Sequence, residues 1–143
     1  PIQGNVIPRE KIPDETFASG VLGDGVGIEP EIGEVVAPFD GEISSVTETR
    51  HAIGITGPGG MELLIHVGVD TVKMNGDGFA VLVSEGDKVC VGQKLMTFDI
   101  SKIKAAGCST TSAVLLTNSD DYQSCNVIKT GKSKQMEKII TVE

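Results

Sequence analysis

Residues 51–66 read HAIGITGPGGMELLIH: two short apolar segments joined by Gly57-Pro58-Gly59-Gly60. Proline fixes a negative φ that suits the first central position of a type I or type II turn, and glycine accepts the positive φ that type II requires next. Short aliphatic segments on either side of such a turn are typical of a β-hairpin. The stretch therefore predicts two antiparallel strands with the chain's only histidines, His51 and His66, at their outer ends.

The register expected for this hairpin brings the two histidines together. A loop from Gly57 to Gly60 fixes the pairing on either side of it. The predicted pairs, outward from the turn, are Thr56 with Met61, Ile53 with Leu64, His51 with His66, and Thr49 with Gly68. Directly opposed residues share one face of a sheet, with Cβ atoms about 4.5–5.5 Å apart, whereas a shift by one residue changes the face. We therefore expect the two imidazoles to touch.

The composition indicates one all-β domain. The chain has 143 residues, enough for a single domain with its own core, and we expect residues 1–143 to form one domain with an irregular amino-terminal segment over residues 1–14. Eighteen glycines, six prolines and many short aliphatic runs leave little room for long helices. The expected fold is an antiparallel β-sandwich or barrel of short strands with at most short helical turns.

The pattern along the chain predicts eight strands and one helix. The strands are expected at residues 34–37, 41–47, 51–56, 61–67, 79–83, 95–98, 112–117 and 138–142. Clusters of Gly, Pro, Asp and Asn separate them at the close spacing of sandwiches and barrels rather than of βαβ units. The helix is expected over residues 99–106, with Asp99 or Ser101 as its N-cap and Gly107 at its end.

Charge and hydropathy exclude several classes of partner. The net charge of -8 argues against nucleic acid, since phosphate backbones are bound by clustered lysine and arginine. No stretch approaches the length of a membrane span, and residues 1–13 lack the apolar core of a signal peptide. The three cysteines, Cys90, Cys108 and Cys125, cannot all pair within the chain, and we expect them to pack in the core of a cytoplasmic monomer.

Three kinds of chemistry can use a histidine pair. A zinc ion needs a third and usually a fourth ligand, and Asp70, the nearest acidic candidate, would lie about 13 Å along the strand from His66, so the pair alone offers at most a weak site. A general base needs a nucleophile and an orienting carboxylate, and no such signature lies nearby. A histidine nucleophile needs only a neutral ring with a free lone pair, and we favour this third interpretation.

The neighbours of the pair predict a docking surface. Thr49 supplies a hydroxyl, and Gly68 removes a side chain that would crowd His66. The expected binding surface consists of Ile53, Leu64, Val67, Gly68 and Asp70. A mostly aliphatic patch with two imidazoles at its centre is typical of a surface that binds another protein.

Four motifs resemble the glucose-class enzyme IIA domain of the bacterial phosphoenolpyruvate-dependent sugar phosphotransferase system. The most specific is GMELLIHVGVDTV at residues 60–72, which resembles the phosphorylation-site signature of that family. The others are VLGDGVGI at 21–28, VAPFDG at 36–41 and TRHA at 49–52, in the order that the family shows. The resemblance extends over residues 17–121.

This resemblance implies a phosphoryl relay in sugar uptake. By it, His66 accepts a phosphoryl group on Nε2 from the histidine-containing phosphocarrier protein and passes it to a cysteine of the IIB domain of a glucose-type permease. His51 matches the second histidine of the family, which contacts the phosphoryl group without being phosphorylated. Thr49 matches the threonine that hydrogen-bonds to His51, and Asp70 matches a carboxylate at the rim of the site.

The chain also departs from some members of that family. Those members carry phenylalanines around the histidines and an amphipathic amino-terminal helix that touches membranes, whereas here we expect Thr47, Ile53 and Leu64 near the site and no such helix. The main alternative is a non-catalytic β-domain that binds a metal or a partner through the His51/His66 pair. A zinc peptidase would want a third histidine, which the chain lacks.

Overall fold

A computed structural model of the chain describes residues 2–20, 22–57, 60–118, 125–127, 131–133 and 140–142. The strands in these ranges are β1 Gly4–Pro8, β2 Asp24–Pro30, β3 Glu34–Val36, β4 Gly41–Val46, β5 Ala52–Thr56, β6 Glu62–His66, β7 Phe79–Val81, β8 Lys88–Val89, β9 Lys94–Phe98, β10 Ser112–Leu116, β11 Cys125–Val127, β12 Gly131–Ser133 and β13 Ile140–Val142. The α-helices are α1 Glu15–Ala18 and α2 Ile100–Ala105, and two 3-10 helices span Arg9–Lys11 and Thr71–Met74. None of the helices described is long and apolar enough to cross a membrane.

Two antiparallel sheets enclose the main core. The large sheet has eight strands in the order β12-β1-β2-β10-β6-β5-β4-β8, and the small sheet has three in the order β3-β9-β7, while β11 and β13 pair separately. Buried side chains of both sheets form one cluster, which includes Ile28, Ile53, Ile65 and Val114 from the large sheet and Val35, Leu95, Met96 and Phe98 from the small one. The all-β fold expected from the sequence is confirmed.

The large sheet is covered on both faces at β10. Every residue of Ser112–Leu116 is buried, and alternate side chains point to opposite faces. Val114 packs in the main core. The opposite face carries a second, smaller cluster of Ile12, Phe17, Val69, Ala113 and Leu115. We call the face that carries this second cluster the outer face of the large sheet; His66 lies on it, because His66 pairs with Ala113.

The segment that covers the outer face depends on an N-cap. The side chain of Asp14 accepts hydrogen bonds from the backbone N–H of Thr16 at 2.9 Å and of Phe17 at 3.4 Å, which starts α1. One helical turn later, Phe17 is 7% exposed within the second cluster. Capping by Asp14 therefore places an aromatic ring over β10 and β6.

Most of the predicted elements are present. Each of the eight predicted strands is confirmed. The ends of the first seven differ by at most two residues, and the last is described over residues 140–142. The predicted helix is α2: Asp99 caps it by accepting a hydrogen bond from the N–H of Lys102 at 3.1 Å, and Gly107 follows it with φ 77°. The strands β1, β2, β8, β11 and β12 were not predicted.

The expectation of an irregular segment over residues 1–14 is wrong. β1 pairs with β2 on one side and with β12 on the other, so the amino terminus is part of the large sheet. The prolines near the amino terminus argued against a strand there. However, Pro8 stands at the end of β1 and Pro13 precedes α1, where a missing N–H removes no essential hydrogen bond. In the same way, the glycines that alternate along β2 argued against a strand at that position, so β2 was not predicted either.

The predicted register of the hairpin is wrong by one residue. Thr56 pairs with Glu62 and Ala52 pairs with His66, rather than Thr56 with Met61 and His51 with His66. The N–H of Gly57 donates to the carbonyl of Met61 at 2.7 Å, which leaves three residues between these two. Gly60, the last of the three, has φ 81°, and a left-handed residue at that position is typical of three-residue hairpin loops.

A residue distant in sequence holds this loop. The side chain of Asn118 accepts a hydrogen bond from the N–H of Glu62 at 3.0 Å and donates one to the carbonyl of Gly60 at 2.9 Å. The bonded residues are 56 and 58 positions apart in the sequence. The loop residues alone do not show this contact, which is why the sequence did not settle the register.

The core gives a stability prediction. Ile65 is 0% exposed in the main cluster, so Ile65→Ala removes apolar contacts and leaves a cavity. We expect the free energy of unfolding, measured by urea denaturation, to fall by about 2–5 kcal/mol. Leu82→Ala is the control because Leu82 is 54% exposed, and it should change stability by less than about 0.5 kcal/mol. Equal losses in the two variants would contradict this assignment of the core.

Candidate active site

His66 stands at the end of β6 between two other rings. Its partners in the sheet are Ala52 and Ala113, whose small side chains leave room for an imidazole. The ring centroid of His51 lies 4.7 Å from that of His66 at an interplanar angle of 76°, and the centroid of Phe17 lies at 4.8 Å with an angle of 57°. The two histidines are therefore in direct contact, as the sequence predicted.

The contact arises in a different way from the one expected. His51 precedes β5, and its carbonyl accepts a hydrogen bond from the N–H of Val67 at 2.8 Å. The residue before it, Arg50, has φ 63°, a left-handed conformation that turns the chain. His51 lies outside the regular strand, so its side chain does not have to follow the alternation of the strand residues. Its ring therefore reaches His66 despite the shifted register.

Thr49 orients the ring of His51. Its Oγ1 lies 2.7 Å from Nδ1 of His51, which is the hydrogen bond that the sequence analysis expected. A hydroxyl can donate to that nitrogen, and the neutral ring then carries its proton on Nε2. His51 is 6% exposed, so a hydrogen bond at Nδ1 also satisfies a buried polar atom.

The carbonyl of Gly68 determines the tautomer of His66. Nδ1 of His66 lies 2.8 Å from this oxygen. A carbonyl can only accept, so Nδ1 carries the proton and donates it. The lone pair of the neutral ring is therefore on Nε2, and this is the nitrogen that can attack an electrophile.

Both rings are held in the neutral form. Burial, together with the neighbouring His51, lowers the pKa of His66 to about 4, although the Gly68 carbonyl and the charge of Asp14 act in the opposite direction. Burial also lowers the pKa of His51, and a hydrogen bond with the backbone of Thr49 opposes this shift. An unprotonated ring keeps its lone pair at neutral pH, so His66 is ready to act as a nucleophile.

Gly68 has a different role from the one predicted. It has φ 74°, and a Cβ built on it would lie 2.5 Å from Cγ2 of Thr71 and 2.9 Å from the carbonyl oxygen of Ser109. Glycine is thus required by a left-handed backbone and a close approach, not to clear space beside His66 on a strand.

The expected binding surface is only partly correct. Ile53 and Val67 are 0% exposed in the main core. The shift in register turns Ile53 to the inner face, and Val67 faces inward because it directly follows His66. Leu64 stays on the outer face with His66, since it pairs with Leu115 of the second cluster. Asp70 is exposed with φ 60°, directly before the second 3-10 helix.

Phe17 and Asp14 lie at the site although no motif in the sequence indicated them. We expected no phenylalanine beside the histidines, and this is wrong, since the ring of Phe17 packs against His66. Thr47, which was expected near the site, instead bonds to the backbone of Ala52 at 3.2 and 3.4 Å. An Asp with an apolar residue three positions later, after Pro13, is a helix-start signal that could have revealed the segment.

The structure gives limited support to metal binding and to buried cysteines. Among the residues described, no group of three or more His, Cys, Asp and Glu side chains is placed to hold a metal ion. Cys108 is buried, with Sγ 3.7 Å from the carbonyl oxygen of Asp70, but Cys90 is exposed, so the expectation of core packing is wrong for Cys90. The side chain of Cys125 lies outside the described part of the chain.

An antiparallel β-sandwich with two histidine rings in direct contact is the arrangement that the resemblance to the enzyme IIA class predicted. Residues 1–122 match the family described as the phosphoenolpyruvate-dependent sugar phosphotransferase system, EIIA 1. The chain belongs to this family, which confirms the resemblance found in its motifs.

Known proteins agree with this assignment along nearly the whole chain. The glucose-specific EIIA component of Halalkalibacterium halodurans is 50% identical over 120 residues, which are 84% of this chain and 69% of the relative. The glucoside-specific EIICBA component of Staphylococcus carnosus is 43% identical over 142 residues, which are 99% of this chain but 20% of the relative. The chain thus spans about a fifth of the length of the EIICBA and EIIBCA relatives.

A solved structure shows the same fold. Glucose permease IIA from Mycoplasma capricolum superposes with a TM-score of 0.90 at 32% sequence identity, and the match covers 98% of this chain and 90% of that one.

The environment of His66 predicts its titration. Its lowered pKa should keep the ring neutral down to about pH 5, with a midpoint near 4 in ¹⁵N-detected histidine spectra and the shifts of the Nδ1–H form above it. In urea the same ring should titrate near its ordinary value of about 6.5. Since the unfolded ring takes up its proton first, this group favours unfolding as the pH falls from about 6.5 through 4. A folded midpoint near 6.5 would show that His66 is solvated.

Proposed function

We propose that His66 is the nucleophile of the relay and takes the phosphoryl group on Nε2. The observation that carries this proposal is the hydrogen bond of 2.8 Å from Nδ1 to the carbonyl of Gly68, which leaves the lone pair on Nε2. Attack on the phosphorus of a phosphohistidine donor forms the new N–P bond while the donor's N–P bond breaks. The second transfer exchanges the Nε2–P bond for an S–P bond to a cysteine thiolate.

His51 supports the transferred group in this proposal and does not carry it. With Thr49 donating to its Nδ1, the proton of His51 stays on Nε2 and can be donated to a phosphoryl oxygen. The ring contact with His66 places this donor beside the nucleophile. Phosphoryl transfer depends mainly on alignment and on stabilising charge on the equatorial oxygens. A neutral donor stabilises that charge modestly, so the group can be passed on.

The partners follow from the family and from charge. The relatives named EIICBA and EIIBCA join the IIA part to IIB and IIC parts, which supports a IIB domain of a glucose-type permease as the acceptor. The proposed donor is the histidine-containing phosphocarrier protein, as the motif at residues 60–72 suggests. A net charge of -8 favours a basic donor and faster encounter. We place the relay in the cytoplasm, with the chain acting as a monomer.

The proposed docking surface is smaller than the one expected from the sequence. It keeps Leu64 on the outer face and the exposed Asp70, and it loses Ile53 and Val67 to the core. Phe17 packs against the ring of His66 but, at 7% exposed, adds little to this surface. The relay itself needs no cofactor in this proposal. The histidine pair offers two of the three or four ligands that zinc requires, so a zinc site would need the rest from a partner.

Two variants test the division of roles between the histidines. We expect His66→Gln to accept no phosphoryl group from the phosphorylated donor, because the nucleophile is gone. His51→Gln should still accept it but pass it to the IIB cysteine about 10²-fold more slowly, because one donor to the transferred group is lost. Radiolabelled, acid-labile phosphate on the purified chain measures the first step, and its loss on addition of IIB measures the second.

A matched control is Lys88→Gln, since Lys88 is exposed on β8 at the far edge of the large sheet and should transfer normally. Phosphate found on His51 in the His66→Gln variant would reverse the roles. Zinc affinity with no phosphorylation of the unmodified chain would instead support a metal-binding domain.

A further inference from the structure

Two buried hydroxyls hold the peptide group that joins Val67 to Gly68. Oγ1 of Thr71 donates a hydrogen bond to the carbonyl of Val67 at 2.6 Å. On the other side of the same peptide, the N–H of Gly68 donates to Oγ of Ser112 at 3.2 Å. One hydroxyl lies four residues along the chain and the other 44 residues away, so the peptide is fixed from two independent elements.

The direction of each of these bonds is determined. A carbonyl only accepts, so Thr71 is the donor to Val67. Ser112 uses its own proton to donate to the carbonyl of Thr110 at 3.1 Å, which leaves its lone pairs for the N–H of Gly68. Thr71 and Ser112 are both 0% exposed, so water cannot replace either bond.

The next peptide is held as well. The N–H of Val69 donates to the carbonyl of Ser109 at 3.0 Å. The same peptide group carries the carbonyl of Gly68, which accepts from Nδ1 of His66 at 2.8 Å. Gly68 keeps a left-handed φ of 74°, a conformation that persists here because its neighbours fix it from both sides.

Packing alone does not explain the hydroxyl of Ser112. In β10, Ser112 precedes Ala, Val, Leu and Leu, and every residue of that strand is buried. A buried hydroxyl costs free energy unless it is hydrogen-bonded, so an apolar residue would suit this position if packing were its only purpose. What the hydroxyl adds is a fixed acceptor for Gly68 and, through it, a fixed carbonyl for His66.

We propose that Ser112 and Thr71 are positioning residues for phosphoryl transfer, which lock the carbonyl of Gly68 against Nδ1–H of His66. This rests on the proposed role of His66 as nucleophile. A fixed carbonyl keeps the proton on Nδ1 and the lone pair on Nε2. When Nε2 bonds to phosphorus, the ring becomes more positive and its Nδ1–H donates more strongly, so the same carbonyl also stabilises the phosphohistidine.

The first test removes the acceptor. In Ser112→Ala we expect ¹⁵N spectra of the unphosphorylated protein to show a new population of His66 with its proton on Nε2, and phosphoryl acceptance to slow about tenfold. Ser112→Thr keeps a hydroxyl oxygen at this position, so the tautomer population of His66 and the rate of phosphoryl acceptance should both return towards the original values. Ser109→Ala is the matched control: its Oγ bonds to Thr111, whereas its contact with Val69 uses the backbone carbonyl.

A second pair keeps the test decisive where Ser112→Ala does not fold. Thr71→Val has nearly the same shape but cannot donate to Val67, and it should change tautomer and rate in the same direction, while Thr71→Ser should not. Melting temperatures identify which variants are folded. Unchanged tautomer and rate in every folded variant that lacks one of the two hydroxyls, or an equal loss in Ser109→Ala, would overturn the proposal.

The spectra require no phosphate, so they separate the two proposals. Failure of the unmodified chain to accept phosphate on His66 would refute the proposed function. A normal tautomer in Ser112→Ala and Thr71→Val would refute only the positioning role.

Discussion

The hydrogen bond from Nδ1–H of His66 to the carbonyl of Gly68 connects the fold of this protein to its chemistry. At 2.8 Å it decides which nitrogen keeps the lone pair, and burial holds the ring neutral so that the lone pair is available. The bond exists only because Gly68 adopts a left-handed φ of 74°, a conformation that most side chains disfavour. The tautomer of His66 thus depends on a backbone conformation two residues away.

The large sheet separates stability from function by its two faces. The inner face packs against the small sheet through aliphatic residues such as Ile65 and Val114. The outer face carries His66, against which the ring of Phe17 packs. Phe17 belongs to the short helix α1 that Asp14 caps. A ring buried in this way loses solvation, which disfavours its protonated form. The cover therefore acts on the charge state of the site as well as on its shape.

The sequence predicted eight of the strands, α2 and the touching histidines, but it failed where contacts between distant segments decide the geometry. The hairpin loop is held by Asn118, which bonds to Glu62 and Gly60 from the turn after β10. With the register wrong, Ile53 was assigned to the histidine face and lies in the core instead. Phe17 went unnoticed because no local pattern shows that a segment near the amino terminus folds over β6.

By itself, the sequence determined the all-β class, the positions of eight strands, the capping of α2 by Asp99 and the pair of histidines. These follow from local periodicity, turn-forming residues and spacing, which operate over a few positions. Only the tertiary structure decided which histidine nitrogen is free, how buried each ring is, and which side chains surround them. Those properties depend on Gly68, Thr71 and Ser112 meeting in space, and a chain fixes such contacts only when its sheets pack together.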